Sequence, residues 1–273
     1  MPFINAKDGT RLYCKTWGQG RPVVLIHGWP LSGDSWDDVS VALADHGMQA
    51  IAYDRRGFGR SDQPSDGYDY DTLADDLAAV IEQTQATDAA LVGFSMGGGE
   101  VARYMTRHAG RNVTQAALIA SVVPYMLKTD DNPHGTDAAT FEEMTKGMKE
   151  DRAKFFASFL KSFYGIGLVS HPTSDEQAHA SWVVAMQAGL KGTLECAKAF
   201  ATTDFRPDLA SFRCPTLIIH GTADKTVPID AAGRAAAAGI ANSTLFEYDG
   251  APHGLFATHK ERFITDLIGF LAR

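Results

Sequence analysis

One short run constrains this chain more than any other: Gly93-Phe94-Ser95-Met96-Gly97. An apolar stretch at 89–92 precedes it, and a helical pattern over 97–107 follows. A serine in that setting sits on a turn so sharp that its hydroxyl stands clear of the sheet, in a strained backbone conformation. Glycines two residues to either side let strand and helix approach closely. The helix that follows aims free N–H groups and its positive dipole end at negative charge developing beside the serine. The five-residue motif alone is moderately specific. The strand before it and the helix after it argue against an incidental glycine-rich turn.

The rest of the chain supplies a sheet to hold such a turn. Residues 3–7 and 10–17 read as a hairpin about Asp8-Gly9. The continuous apolar run at 23–26 predicts a strand covered on both faces, and 32–46 predicts a helix closed by Gly47. Alternation continues with strands at 49–53, 89–92 and 113–120 and helices at 73–84 and 97–107. It resumes with a strand at 214–219, a helix at 229–239, a strand at 244–248 and a helix at 259–271. This order predicts an α/β fold with a mostly parallel sheet and helices on both faces. Between them, 122–203 is rich in Phe, Met, Ala and Lys at helical spacing and lacks a buried strand. The expected division is a core domain of residues 1–121 and 204–273, with 122–203 inserted as a helical cap.

A serine hydroxyl needs a base to take its proton and an acid to orient that base. After a serine elbow these follow in the order Ser, then Asp or Glu, then His, each past the carboxyl end of a late strand. Of nine histidines, His253, in Asp249-Gly250-Ala251-Pro252-His253-Gly254, lies in the loop after the last strand. His259 reads as the start of the final helix, His220 as the end of the preceding strand, and His27 as part of another motif. His46, His108, His134, His171 and His179 read as solvated or structural. Asp224 follows the strand at 214–219 in a Gly-containing loop and is the candidate acid. Asp230 is its rival but reads as part of a helix's first turn. Asp54 precedes the serine and reads as a brace for the Arg55-Arg56-Gly57 turn. The catalytic assignment is therefore Ser95, Asp224 and His253.

His27-Gly28-Trp29-Pro30 follows the early central strand. The loop there and the residue after the nucleophile each supply a backbone N–H to an oxyanion, which assigns the amides of Trp29 and Met96. His27 is expected to brace the loop. Pro30 biases Trp29 toward extended geometry, so the Trp29 carbonyl has a fixed direction beside the oxyanion hole and could accept a hydrogen bond from peroxide. Trp29, Phe94, Phe159, Phe163 and Trp182 are the candidates for an apolar, partly aromatic substrate pocket.

The formal charge of −8, from 33 acidic and 25 basic residues, gives no attraction for phosphate backbones or anionic lipid. No apolar run is long enough to span a bilayer, and no signal peptide is read at the N-terminus. Cys14, Cys196 and Cys214 have neither metal-ligand nor disulfide spacing and read as reduced thiols of a cytoplasmic protein. No haem-ligand motif or metal cluster is read, so neither a cofactor nor a metal is expected. The acidic stretch 71–76 reads as a solvated helix start.

Six segments together resemble the cofactor-free bacterial haloperoxidases and related aryl esterases of the α/β-hydrolase fold. They are Asp8-Gly9-Thr10, His27-Gly28-Trp29-Pro30, the Tyr53-Asp54-Arg55-Arg56-Gly57-Phe58-Gly59-Arg60-Ser61-Asp62 block, the elbow extended through Tyr104, Asp204-Phe205-Arg206-Pro207-Asp208, and Ala251-Pro252-His253-Gly254. A (+)-γ-lactamase group is similar and shares the Asp131-Asn132-Pro133 stretch. The resemblance implies an eight-stranded sheet, a helical cap and a site without metal or haem. It implies hydrolysis of small carboxylic esters through an acyl-enzyme. It also implies that a carboxylic acid plus peroxide gives a peracid, which oxidises halide outside the covalent cycle. The expected partners are thus a small ester, or an acid with peroxide, and neither nucleic acid nor membrane. Homo-oligomerisation is left open. Two alternatives share the same residues: a lactamase or amidase, and a slow-turnover ligand-sensing protein.

Overall fold

The computed structural model describes residues 2–168 and 170–273. Its strands are β1 (Phe3–Asn5), β2 (Arg11–Trp17), β3 (Arg21–Ile26), β4 (Met48–Tyr53), β5 (Ala89–Phe94), β6 (Val113–Ile119), β7 (Thr216–Gly221) and β8 (Ser243–Tyr248). They form one sheet in the order β1-β2-β4-β3-β5-β6-β7-β8. The pairs from β4 through β8 are parallel; β1 and β2 add an antiparallel hairpin at one edge. The helices are α1 (Asp37–Asp45), α2 (Tyr70–Gln83), α3 (Met96–Arg107), α4 (Ala138–Phe163), α5 (Asp175–Gln187), α6 (Leu190–Thr202), α7 (Gly233–Gly239), α8 (Leu255–Thr258) and α9 (Lys260–Leu271). None among the described residues is long and apolar enough to cross a membrane.

Strand periodicity decides which helices cover which face. Val24, Ile26, Leu91, Leu118 and Ile218 face a core with Leu73, Leu77 and Val80 of α2 and Val101 and Met105 of α3. Their neighbours Val23, Leu25, Val92, Ile119 and Leu217 face the opposite core, with Val39 and Leu43 of α1 and Phe263, Leu267 and Phe270 of α9. Both faces of β5 are therefore dry, which is why it reads as a continuous apolar run.

The order places β4 on one side of β3 and β5 on the other. Beyond the carboxyl ends of β3 and β5 the chain must diverge in both directions, which opens a crevice. His27-Gly28-Trp29 and Ser95 leave the sheet there.

Several boundaries differ from expectation for local reasons. Helix α2 starts at Tyr70, ahead of residue 73, because the Asp69 carboxylate accepts the Thr72 N–H at 3.0 Å and caps it. Helix α7 begins only at Gly233; 228–232 form turns, and Asp230 pairs with Arg234 at 2.8 Å on the surface. The final helix is found at Lys260–Leu271, preceded by a short α8 that was not expected. The stretch 71–76 does open α2, but it is not solvated throughout. Asp76 is buried and takes two hydrogen bonds from Arg56, at 2.6 and 2.7 Å, while Asp71 and Asp75 pair with Arg103, Arg107 and His108.

Between β6 and β7 the chain runs through α4, α5 and α6 without adding a strand to the sheet among the described residues. Helix α4 breaks at Asp151 (φ −154°, ψ 88°), whose carboxylate accepts the Lys154 N–H at 2.9 Å and caps the second segment. Cys14 and Cys196 are buried free thiols, pushed up to about 12 chiefly by desolvation; Cys214 is half-buried.

Candidate active site

Ser95 follows β5 directly and precedes the first residue of α3. Its backbone lies at φ 52°, ψ −119°, a strained conformation for a residue with a side chain. The glycines explain how the turn closes. A Cβ at Gly93 would come within 2.6 Å of the Gly97 carbonyl oxygen, and one at Gly97 within 2.4 Å of the Ile26 carbonyl oxygen. The turn is held by the Ser95 N–H, which donates to Ile119 O at 2.8 Å.

Residues far apart in the chain meet at this hydroxyl. His253 Nε2 lies 2.9 Å from Ser95 Oγ, and His253 Nδ1 lies 2.6 Å from Asp224 Oδ2. All three are buried. Asp224 Oδ1 accepts the N–H groups of Thr226 and Val227, at 2.9 and 2.8 Å, so the carboxylate is fixed on both sides. Burial alone would raise the Asp224 carboxyl, but His253 and the hydrogen bonds around it hold it well below the usual carboxylate range. His220 stands behind it, with Nε2 donating to Val227 O at 2.9 Å and 3.4 Å from Asp224 Oδ2. It is bonded away from Ser95. Phe94 and Phe163 clasp the His253 ring at centroid distances of 5.1 and 4.9 Å.

On the other side of Ser95, the N–H groups of Met96 and Trp29 are donated to no other group among the described residues. Met96 is the first residue of α3; Trp29 follows β3, and the Trp29–Pro30 peptide is cis. His27 braces this loop as expected. Its Nε2 accepts the Arg55 N–H at 3.0 Å and Nδ1 meets Gly28 O at 2.9 Å; burial, then the adjacent Arg55, holds its pKa well below the ordinary value. Asp54 accepts the N–H groups of Arg60, which closes the loop holding the Arg55-Arg56-Gly57 turn, and of Gly33, each at 2.8 Å.

The Tyr53 to Asp62 block has a further buried contact. Arg55 donates to His27 O at 2.6 Å and to Glu100, which also accepts the Tyr53 hydroxyl. Glu100 lies one turn beyond Met96 on α3, so this ion pair joins the elements that carry the two free amides. Arg55→Met would leave Glu100 buried without its cation and is expected to cost about 3–5 kcal/mol of stability. The double change Arg55→Met/Glu100→Leu should recover much of that loss in urea unfolding. Equal losses in single and double variants would show that packing, not charge, sets the cost.

Ser95 opens into a cavity of about 200 Å³ lined by Trp29, Val122, Met126, Phe141, Met144, Phe159, Phe200 and the loop 225–227, with Thr136, Thr140 and Ser162 as further polar contacts. Two of the five expected pocket residues, Trp29 and Phe159, line it. Three do not. Phe94 and Phe163 pack behind, on the imidazole. Trp182 donates its Nε1 to Ala153 O at 2.9 Å and stacks on His179, so it joins α5 to α4. Phe200, Met126, Phe141 and Met144 were not anticipated, because a helical apolar pattern does not say which residue faces a cavity. Lys225-Thr226-Val227 could have been, since they directly follow Asp224. A larger cleft of about 520 Å³ between α4 and α6 shares Phe141 and Met144 but does not reach Ser95.

The family model described as alpha/beta hydrolase fold matches residues 21–260. A non-heme chloroperoxidase of Kitasatospora aureofaciens is 42% identical over 99% of both chains. A bifunctional esterase/perhydrolase of Acinetobacter calcoaceticus is 37% identical, again over 99% of each. Among solved structures, a bromoperoxidase from Bacillus anthracis superposes with a TM-score of 0.96 at 43% identity, covering 99% of both chains. With a matching family model over most of its length and full-length relatives at this identity, the chain belongs to the α/β-hydrolase family, in the group of the non-heme haloperoxidases and esterase/perhydrolases.

Proposed function

We propose that this protein is a serine hydrolase of small carboxylic esters, with Ser95, His253 and Asp224 as its triad, and that its acyl-enzyme also reacts with hydrogen peroxide. The observation that carries the reading is the continuous contact from Asp224 Oδ2 through both ring nitrogens of His253 to Ser95 Oγ. With Nδ1–H donated to Asp224, Nε2 is free to accept the serine proton.

Ser95 Oγ attacks the ester carbonyl carbon as His253 Nε2 takes its proton. The carbonyl oxygen becomes an oxyanion on the Met96 and Trp29 N–H groups. The imidazolium then protonates the leaving alkoxide oxygen as its bond to carbon breaks. Water, deprotonated by His253, adds to the acyl carbon; the bond from that carbon to Ser95 Oγ then breaks, Oγ takes the proton back from His253, and the acid leaves, whereas hydrogen peroxide in place of water releases a peracid. The peracid can oxidise halide in solution, so no halide site is required. The names of the chloroperoxidase and esterase/perhydrolase relatives support both branches. Residues 122–203 act as a cap, since Phe141, Met144, Phe159, Ser162 and Phe200 come from it to the cavity. The three free thiols fit a cytoplasmic setting.

The purified protein should hydrolyse p-nitrophenyl acetate and lose that activity on stoichiometric labelling of Ser95 by a fluorophosphonate. Peroxide with acetate and bromide should then halogenate a reporter dye. No burst, turnover or labelling would reject the hydrolase reading; hydrolysis without halogenation would reject the peroxide branch alone. Pro30→Leu removes the ring that restricts Trp29 and is expected to lower the ratio of perhydrolysis to hydrolysis. An unchanged ratio would show that the Trp29 carbonyl does not assist peroxide.

A further inference from the structure

The Ser95 cavity has one charged residue among those that line it. Its wall is otherwise aliphatic, aromatic or hydroxyl-bearing, and Lys225 is the exception. Lys225 lies on the loop that carries Asp224 and is solvent-exposed. Among the described residues it forms no ion pair and donates no hydrogen bond. It forms no ion pair with the neighbouring Asp224, whose oxygens accept from Thr226, Val227 and His253. An unpaired ammonium at the edge of an apolar cavity raises the local concentration of anions there and favours a ligand that brings its own negative charge.

We propose that Lys225 is a specificity-determining residue that binds a carboxylate on the acyl chain, so that the preferred substrates are half-esters of short dicarboxylic acids. The proposal rests on the hydrolase reading above and adds the substrate class. The charge count selects a carboxylate: one cation matches a monoanion and would leave a phosphate dianion half uncompensated in an apolar site. Thr136, Thr140 and Thr226, which line the same cavity, offer hydroxyl donors to a second carboxylate oxygen. The ester carbonyl of such a substrate sits at Ser95 and its free carboxylate at the loop 225–226. Attack, acyl transfer and release proceed as for a neutral ester.

The test compares two esters with the same leaving group and similar acyl length, p-nitrophenyl butanoate and mono-p-nitrophenyl glutarate. The readout is the ratio of their kcat/KM values, which cancels changes in pocket shape and in the amount of active enzyme. The wild-type ratio should favour the half-ester and fall as salt is raised. Lys225→Met should lower that ratio about fivefold, the scale of a partly exposed ion pair. Lys225→Arg should keep it, and Lys225→Glu should lower it beyond Lys225→Met. A ratio that is the same in the wild type, Lys225→Met and Lys225→Glu, with butanoate still hydrolysed, would overturn the proposal while leaving the hydrolase reading intact. Failure of the wild type to hydrolyse either ester, with no labelling of Ser95, would overturn both.

Discussion

Ser95→Ala is expected to lower ester turnover by about 10⁴- to 10⁶-fold. His253 Nε2 faces one hydroxyl, at 2.9 Å, and removing it leaves the base nothing to activate but water. The free amides of Met96 and Trp29 remain, so a residual rate above the uncatalysed reaction should persist. The check is kcat on p-nitrophenyl acetate, with wild-type carry-over bounded by phosphonate titration. Retention of most of the activity in such a preparation would remove Ser95 from the mechanism. A second variant separates chemistry from stability. Ser95→Gly also lacks the hydroxyl, but glycine adopts φ 52° without the strain of a Cβ. It should be as inactive as Ser95→Ala and should melt higher, by a share of the roughly 1–3 kcal/mol that such backbone strain stores. Equal melting of the two would show that the strain at residue 95 is small.

The fold and the site's axis were legible in the sequence because short-range rules determine them. The apolar run at 89–92 has no polar face, so it must be a strand covered on both sides. Glycines at 93 and 97 leave only one way for that strand to meet α3. His253 and Asp224 stand out by their positions in loops after late strands, and the structure brings both to Ser95. What the sequence hid depends on partners remote in the chain. Asp76 sits in an acidic stretch that looks solvated, and only its two bonds to Arg56, twenty residues earlier, show otherwise. Phe159 and Phe163 share one face of α4, yet one turn of rise sends the first to the cavity and the second onto the His253 ring. Trp182 points at α4 because its indole N–H finds Ala153 O, a backbone acceptor that no side-chain pattern reveals. The break at Asp151 was readable only as a capping residue, and no apolar period marks it.

Asp224→Asn should lower kcat by about 10⁴ while leaving the side chain in place. The reason lies in how the carboxylate is divided. Oδ1 accepts two N–H groups, from Thr226 and Val227, so an asparagine must keep its carbonyl oxygen on that side. Its NH₂ then faces His253 Nδ1, where Asp224 Oδ2 stood at 2.6 Å. A donor there requires Nδ1 to be the acceptor and moves the ring proton to Nε2, aimed at Ser95 Oγ. The imidazole is correctly placed but in the tautomer that cannot take the serine proton. KM should change much less than kcat, and the nitrogen NMR shifts of His253 should report the exchanged tautomer. Asp230→Asn is the control, since Asp230 pairs with Arg234 on the surface and should leave kcat near wild type. Stability gives a second reading. A carboxyl held below its ordinary value of about 3.9 contributes stability that is present above that pH and is lost as the pH falls toward the folded-state value. The wild type should therefore unfold more easily as the pH drops below about 4, and the gap between it and Asp224→Asn should narrow over that range. A gap that is constant in acid would mean that the Asp224 carboxylate gains nothing from its neighbours, and an Asn variant with wild-type kcat would mean that some other acid orients His253.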